Sequence, residues 1–543
     1  MVRPADDLDD ALDRLRADYD TTPYTSNSFP QSAPGLLAAI ACLFGLEPPE
    51  VTTARVLEIG CAGGGNLIPF AAAHPQARVV GIDLSQVQID QGRMRAQSLG
   101  LKNLELLAGD IARMDLDALG QFDFVIAHGV YSWVPPEVQE SLLAAFRRLL
   151  APHGVAYLSY NVYPGWKTKE ILRDAMLLAS GGSTTPDDKV RDARRMVDFL
   201  EEVASADSAM ARIIAESKAH ALGFADSYLL HDELETFNAP CYFYEMLGRA
   251  QAHGLAFLAE AHPEAMVPTN YGPNVADYLR EKCSGVQALV EQYLDFVADR
   301  TFRETLFVHA EHAQQISYNP DQTRFRRFHI AAWAPPVDGE TRLDHSRQEF
   351  EQSDGATLFT NDPGIKAALD ALSARWPWTL SRQELVDAVH DRLVSAGLTP
   401  SESVPDLVDN LIGVLILQGQ ARYRLHPVSS EPAGTPLRLD ETARRMVELT
   451  GNESPQSQAS TFNLWNETHM LSPVDRHLLP LLDGTRDRDA LVDALWAIDR
   501  ENPIRIERDG KQVSGEAEMR NALAEHVDAV PQRLAEMKLL RVE

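Results

Sequence analysis

Cysteine is scarce and unpatterned: Cys42, Cys61, Cys241 and Cys283 lie far apart, with no C-x-x-C pair. This argues against a disulfide framework or a zinc knuckle, and four buried, reduced thiols are expected. No run of about 18 apolar residues occurs, so no membrane span is expected. The acidic opening stretch MVRPADDLDDALDRLRADYD lacks the apolar core of a secretion signal, which points to a cytoplasmic protein. Positive charge is short as well. Lys and Arg total 50 against 79 Asp and Glu, a formal net charge of −29. Nucleic-acid binding depends on neutralising phosphates with cations, so no nucleic-acid partner is expected. An acidic surface favours a basic acceptor such as a lysine-bearing protein, although it also serves plain solubility. No H-E-x-x-H or paired ligand spacing indicates a metal. His231, Asp232 and Glu233 in LLHDELE are neighbours on a helix and point in different directions, so they read as capping or inter-domain hydrogen bonding.

What the chain does have is size and one glycine-rich turn. At 543 residues, with 45% hydrophobic and 24% charged residues, it suits two to four globular domains. Val56 to Asn66 reads VLEIGCAGGGN: an apolar strand containing Glu58, then glycines that let the backbone turn tightly and approach a ligand. Leu67 to Ala73 has the composition of a helix. A second apolar run, Arg78 to Ile82, ends at Asp83, where a carboxylate can accept both hydroxyls of a ribose. This is a nucleoside site. Gly60, Ala62 and Gly65 also satisfy a loose G-x-G-x-x-G, so the glycines alone leave a dinucleotide and a dehydrogenase open.

Strands are expected near 55–59, 78–82, 104–107, 122–127 and 154–160, separated by helical stretches of which 136–150 is the most amphipathic. The fold class is α/β, a doubly wound Rossmann-like sheet, followed by a mostly helical middle region and α+β, winged-helix-like C-terminal units. The division expected is an arm or lid at 1–50, a nucleoside-binding domain at 51–182, a middle domain at 183–335, and C-terminal units at 336–430 and 431–543. The two last units rest on an echo, RQELVDAV (382–389) and RDALVDAL (488–495), each followed by a helix and a short strand (ARYRL and LLRVE). The arm carries Tyr24 and Phe29 in a polar, proline-containing loop, which reads as a surface loop pinned by aromatics or as a lid over the ligand.

The ordered series resembles the class I S-adenosylmethionine (SAM) methyltransferases. Glu58, two residues before the first glycine, stands where that family carries an acid for the methionine end of SAM. AGDI places Asp110 where a carboxylate accepts from the adenine amino group, and FDFVIAHGVYSWV is a strand running into an aromatic loop. Almost end to end, the chain is similar to the bacterial methyltransferases that carry a methyltransferase regulatory domain, a family that includes the rickettsial protein-lysine methyltransferases. The similarity lies in LEIGCAGGGNLIP, HGVYSWVP, YNVYPGW, the stretches 228–261 and 293–309, and WNETH with LLDGTRDRDALVDAL. Ala33 departs from it, standing where a histidine is expected before the proline of the arm.

The resemblance implies SAM as cofactor, S-adenosylhomocysteine as product, and Glu58, Gly60, Ala62, Gly64, Asn66, Asp83, Leu84, Asp110, Ile111 and His128 as the residues that hold it. Methyl transfer from a sulfonium needs positioning and exclusion of water rather than a metal. For a lysine acceptor the ammonium must first lose a proton, which an apolar, aromatic pocket promotes. Tyr131, Tyr160 and Asn161 are therefore expected at the transfer site, with Tyr24, Phe29, Trp133, Tyr163 and Trp166 around the acceptor. Core packing is the competing reading for Trp133 and Trp166, and a structural hydrogen bond for His128. The expected partners are an acceptor protein, a surface or outer-membrane protein among the candidates, and a second copy of the chain. The alternatives are a methyltransferase for a small metabolite or peptide natural product and a non-catalytic SAM-binding scaffold.

Overall fold

The computed structural model describes residues 16–17, 19–21, 26–183, 185–220, 229–235, 237–429, 434–452, 459–508 and 511–540. After helix α1 (Pro34–Leu43), five strands form the expected parallel sheet: β1 (Arg55–Ile59), β2 (Arg78–Asp83), β3 (Leu104–Ala108), β4 (Phe122–Ala127) and β5 (Leu150–Asn161). Helices α2 (Leu67–Ala73), α3 (Gln86–Ser98) and α4 (Pro136–Leu149) connect them. Val56, Leu57 and Ile59 of β1 are buried because helices cover both faces of a parallel sheet, which explains the near-continuous apolar run. The strand order β3-β2-β1-β4-β5 reverses direction between β1 and β4, and a crevice opens there beyond the carboxyl ends of the strands.

The sheet does not end at β5. Helices α5 (Gly165–Ser180), α6 (Pro186–Val203) and α7 (Ala209–His220) pack a small core of their own around Leu172, Met176, Val197 and Ile214. Past α8 (Phe243–Ala252) the chain returns as β6 (Leu255–Glu260) and, after α9 (Pro273–Cys283) and α10 (Gln287–Val297), as β7 (Phe302–His309). β7 inserts antiparallel between β5 and β6, pairing Asn161 with Phe302 and Leu255 with His309. The result is a seven-stranded mixed sheet. Part of the stretch 183–335, expected as a separate middle domain, therefore completes the same sheet.

Beyond it, the strands His329–Ala331, Leu380–Ser381 and Arg422–Arg424 form a small antiparallel sheet flanked by helices Pro363–Arg375, Arg382–Ser395 and Val404–Leu417. Its apolar residues, such as Ile330, Leu369 and Ile412, belong to the same continuous core as the large sheet. The last unit, with helices Glu441–Asn452, Arg488–Glu501 and Glu516–Asp528 and two short hairpins, keeps its own core around Val447, Leu478, Leu495 and Leu523. Both copies of the echo start capped helices: Ser381 accepts from the Glu384 N–H and Asp487 from the Ala490 N–H. ARYRL supplies a strand. In LLRVE, Leu539 and Leu540 are not in a strand and 541–543 lie outside the described residues. Among the described residues no helix is long and apolar enough to cross a membrane.

Candidate functional site

The crevice between β1 and β4 contains a cavity of about 470 Å³. Its floor is the glycine turn. Gly60 adopts φ +77°, and a Cβ there would fall 2.3 Å from Val130 Cγ2. Gly65 faces the arm, where a Cβ would meet the Ser26 carbonyl at 2.3 Å. The arm is tied down over this turn. The Gly65 N–H donates to Ser26 Oγ (2.7 Å), and the Phe29 N–H to Asn66 Oδ1 (2.8 Å). Asn66 Nδ2 in turn donates to Ser32 Oγ and to Glu58 Oε1, each at 2.9 Å. Tyr19, Ser26 and Phe29 thus line the cavity from the arm side.

Two buried carboxylates define the polar end. Among the described residues Glu58 Oε2 has no hydrogen-bond partner. Burial pushes the Glu58 carboxyl up to about 8, opposed by the Asn66 hydrogen bond and reinforced by the nearby Asp83 charge. Asp83 accepts from the Ala62 N–H (2.7 Å) and the Ser85 N–H (2.9 Å). Burial raises its pKa too, against the pull of these backbone donors. Asp110, flanked by Gly109 and Ile111 on the cavity wall, accepts from the Ala112 N–H (2.9 Å) and pairs with Arg113 (3.4 Å). An unpartnered buried acceptor beside a second carboxylate calls for a ligand with a cationic N–H group and hydroxyls.

His128 closes the cavity against Phe29, with ring centroids 3.9 Å apart. Burial lowers its pKa to about 4, so the imidazole is neutral. Its Nδ1 lies 2.9 Å from the Tyr157 hydroxyl, which donates to Glu304 Oε1 (3.0 Å). Burial raises the Glu304 pKa, but hydrogen bonds from His262 and Gln31 outweigh it and keep the group a carboxylate. The Tyr157 proton is therefore committed to Glu304, and Nδ1 must be the protonated ring nitrogen. Nε2 is left as an acceptor.

The aromatic end consists of Trp133 and Trp166, edge to face with centroids 6.1 Å apart, together with Asn161. Asn161 Nδ2 donates to Asn238 Oδ1 (2.9 Å), which leaves its carbonyl oxygen for a ligand. Lys169 Nζ lies 5.2 Å from the Trp166 ring centroid, and Glu233, Thr301 and Phe302 complete the wall.

Of the residues expected to hold the nucleoside, all but Gly64 line the cavity; Gly64 (φ +74°) shapes the turn against Leu106. Phe29, Trp133, Trp166 and Asn161 line it as well. Tyr131, Tyr160 and Tyr163 do not. Tyr131 and Tyr160 pack edge to face behind the wall, the first receiving a hydrogen bond from Arg249 (3.1 Å) and the second sharing one with Thr305 (3.0 Å). The cause is the period of a strand: Asn161 faces the cavity, so its neighbour Tyr160 must face the other way. Tyr163 donates to Glu170 (2.7 Å) and lies against Tyr242. Tyr24 lies outside the described residues. Sequence reasoning missed Lys169, Glu233, Thr301 and Phe302. Glu233 reads from the sequence as capping or inter-domain hydrogen bonding, and Phe302 becomes visible only once β7 is paired with β5.

Three family models match the chain: a methyltransferase domain at residues 56–154, a predicted methyltransferase regulatory domain at 225–309, and the "PKMT, C-terminal winged helix domain" at 445–539. RP789 of Rickettsia prowazekii is 31% identical over 93% of this chain and 90% of its own length. RP028 of the same organism is 36% identical over 43% of this chain and 93% of its own. Among solved structures, PKMT2 from Rickettsia typhi in complex with AdoHcy is 26% identical, covers 95% of this chain and 99% of its own, and superposes with a TM-score of 0.81.

Proposed function

Because the chain belongs to the family of bacterial methyltransferases that carry a methyltransferase regulatory domain, we propose that it is a SAM-dependent enzyme that methylates lysine side chains of proteins. The observation that carries this reading is a single cavity with an unpartnered Glu58 oxygen at one end and Trp133, Trp166 and Asn161 at the other. SAM supplies, when bound, a methyl group on a sulfonium already activated for in-line displacement. Glu58 Oε2 lacks a partner among the described residues and suits an α-ammonium, whose charge favours the carboxylate form. Asp83 keeps its oxygens fixed by backbone donors and offers their remaining lone pairs to ribose hydroxyls, with Asp110, Leu84 and Ile111 around the base. The arm and His128 exclude water from the polar end.

At the aromatic end, indole faces attract a cationic amine and a partly methylated one, while low polarity favours the neutral amine that reacts. The Asn161 carbonyl orients the amine through an N–H bond. Similarity over nearly the whole length to PKMT2 of R. typhi, including the winged-helix region, supports a protein acceptor. We read residues 336–430 and 431–543 as the units that present that protein, met in the cytoplasm. The test is to incubate the full chain with methyl-labelled SAM and an extract of its source organism, with Asp83→Ala as control. Label on protein lysines, lost in the variant, is the expected result; label confined to small molecules would overturn the lysine reading, and no label would leave a SAM-binding scaffold.

A further inference from the structure

A second cavity of about 300 Å³ adjoins the first and shares Lys169, Glu233 and Thr301 with it. It lies among α5, α7 and the turn Leu229–Glu233. Building on the lysine reading above, we propose that the acceptor side chain enters through this second cavity and that Glu233, at the junction, receives the proton its ammonium must lose.

The lining matches a lysine side chain along its length. Leu172, Met176 and Ile213 form an apolar wall for the four methylenes, and Glu216 and Asp299 add negative charge where a cation would enter. Glu233 is only 8% exposed, and among the described residues no side chain hydrogen-bonds to it. That carboxylate lines both cavities, so a cation passing from one to the other would meet it. The protein's own Lys169 shows that an ammonium is accepted at this spot, since it lies over the Trp166 ring beside Glu233.

Burial raises the Glu233 pKa, opposed by the Lys169 and Arg173 charges of α5, while Glu216 of α7 and Asp299 share the second cavity. A carboxylate held at such a balance takes up a proton more readily than an exposed one. In the step, one N–H bond of the acceptor ammonium breaks. Its electron pair stays on nitrogen as the lone pair the reaction needs, and the proton passes to a Glu233 oxygen and out to water through the second cavity.

The test uses the full chain, methyl-labelled SAM and heat-treated total protein of the source organism as acceptor, from pH 6 to 10, with S-adenosylhomocysteine affinity measured in parallel. Glu233→Gln is expected to lower the rate on lysine by about 100-fold at pH 7. The loss should shrink toward pH 10, where an appreciable fraction of the acceptor amine is already neutral in bulk water, and S-adenosylhomocysteine affinity should not change. Ser217→Trp, which places an indole in the second cavity and leaves the Glu233 side chain unaltered, is expected to lower the same rate. Wild-type rates in both variants would overturn this inference while leaving lysine methylation intact. A loss in Glu233→Gln that is equal at every pH would overturn the proton-accepting role. A wild-type protein that labels no lysine would overturn the underlying lysine reading itself.

Discussion

The carboxylates around Arg303 and those at the ends of β1 and β2 form two clusters, and only the second of the two reads as a binding site. Around Arg303, the carboxylates of Glu260, Glu291 and Asp295 approach one guanidinium at 2.6 to 3.1 Å, and Arg300 pairs with Asp295 at 2.9 Å. Burial pushes Glu291 up to about 7, with Arg303 opposing. At the ends of β1 and β2, Glu58 is as deeply buried and Asp83 half-buried, and among the described residues they have no cation beside them, only Asn66 and backbone N–H groups, with no hydrogen-bond partner for Glu58 Oε2. The first cluster carries its counter-ion in the chain and is a joint between β6, β7 and α10. The second lacks one and is complete only with a ligand. Burial of a carboxylate therefore does not mark a site; the missing cation does.

Removing the internal cation is the strongest way to break this contrast. Arg303→Met removes the cation shared by three buried carboxylates, leaving Asp295 with Arg300 and Glu260 and Glu291 with no ion-pair partner among the described residues, and an expected loss of about 3–5 kcal/mol would be measured by urea unfolding. Glu58→Gln acts on the other cluster. Loss of a charged hydrogen bond worth about 1.5–3 kcal/mol should weaken S-adenosylhomocysteine binding about 10- to 150-fold by calorimetry. The same change should not destabilise the free protein. The folded pKa of Glu58, about 8, lies above the ordinary 4.5, so its contribution to stability is full below about pH 4.5 and lost as pH rises through 8. The melting temperature of the variant should thus gain on the wild type from pH 6 to 9.

A third test sharpens the comparison by following the proton. Glu58 is protonated in the free protein at pH 7, and a bound ammonium favours the carboxylate, so S-adenosylhomocysteine should release up to about one proton. Calorimetry in buffers of different ionisation enthalpy would show it, and Glu58→Gln should abolish it. The smallest effect belongs to the aromatic end. Trp166→Phe weakens a cation–π face worth about 0.5–2 kcal/mol, so the KM for acceptor protein should rise a few-fold while S-adenosylhomocysteine affinity stays constant.

The polar end of the site was legible because its residues are consecutive and their roles are local. A strand, a tight turn and a helix place Glu58, Gly60 and Asn66 within a few residues, Asp83 ends the next strand, and Asp110 follows the end of the one after. The aromatic end was legible only in part. Periodicity says that Tyr160 and Asn161 face opposite sides, but not which side holds the cavity; that depends on β4 on one flank of β5 and β7 on the other. Residues matched as a regulatory domain, 225–309, likewise contain β6 and β7, so the site wall at Thr301 and Phe302 is built by chain that follows the expected boundary at 182 by more than a hundred residues.

The amino-acid sequence alone determined the parallel core of the sheet, the nucleoside end of the cavity and the family, since apolar runs, glycine turns and strand-end carboxylates act through contacts close in sequence. Only the tertiary structure decided that β6 and β7 complete the sheet, that Tyr131 and Tyr160 stand behind the wall, and that Glu233 and Lys169 line both cavities. Those outcomes depend on which distant segments pack together, and packing between remote elements leaves no periodic signal in either one.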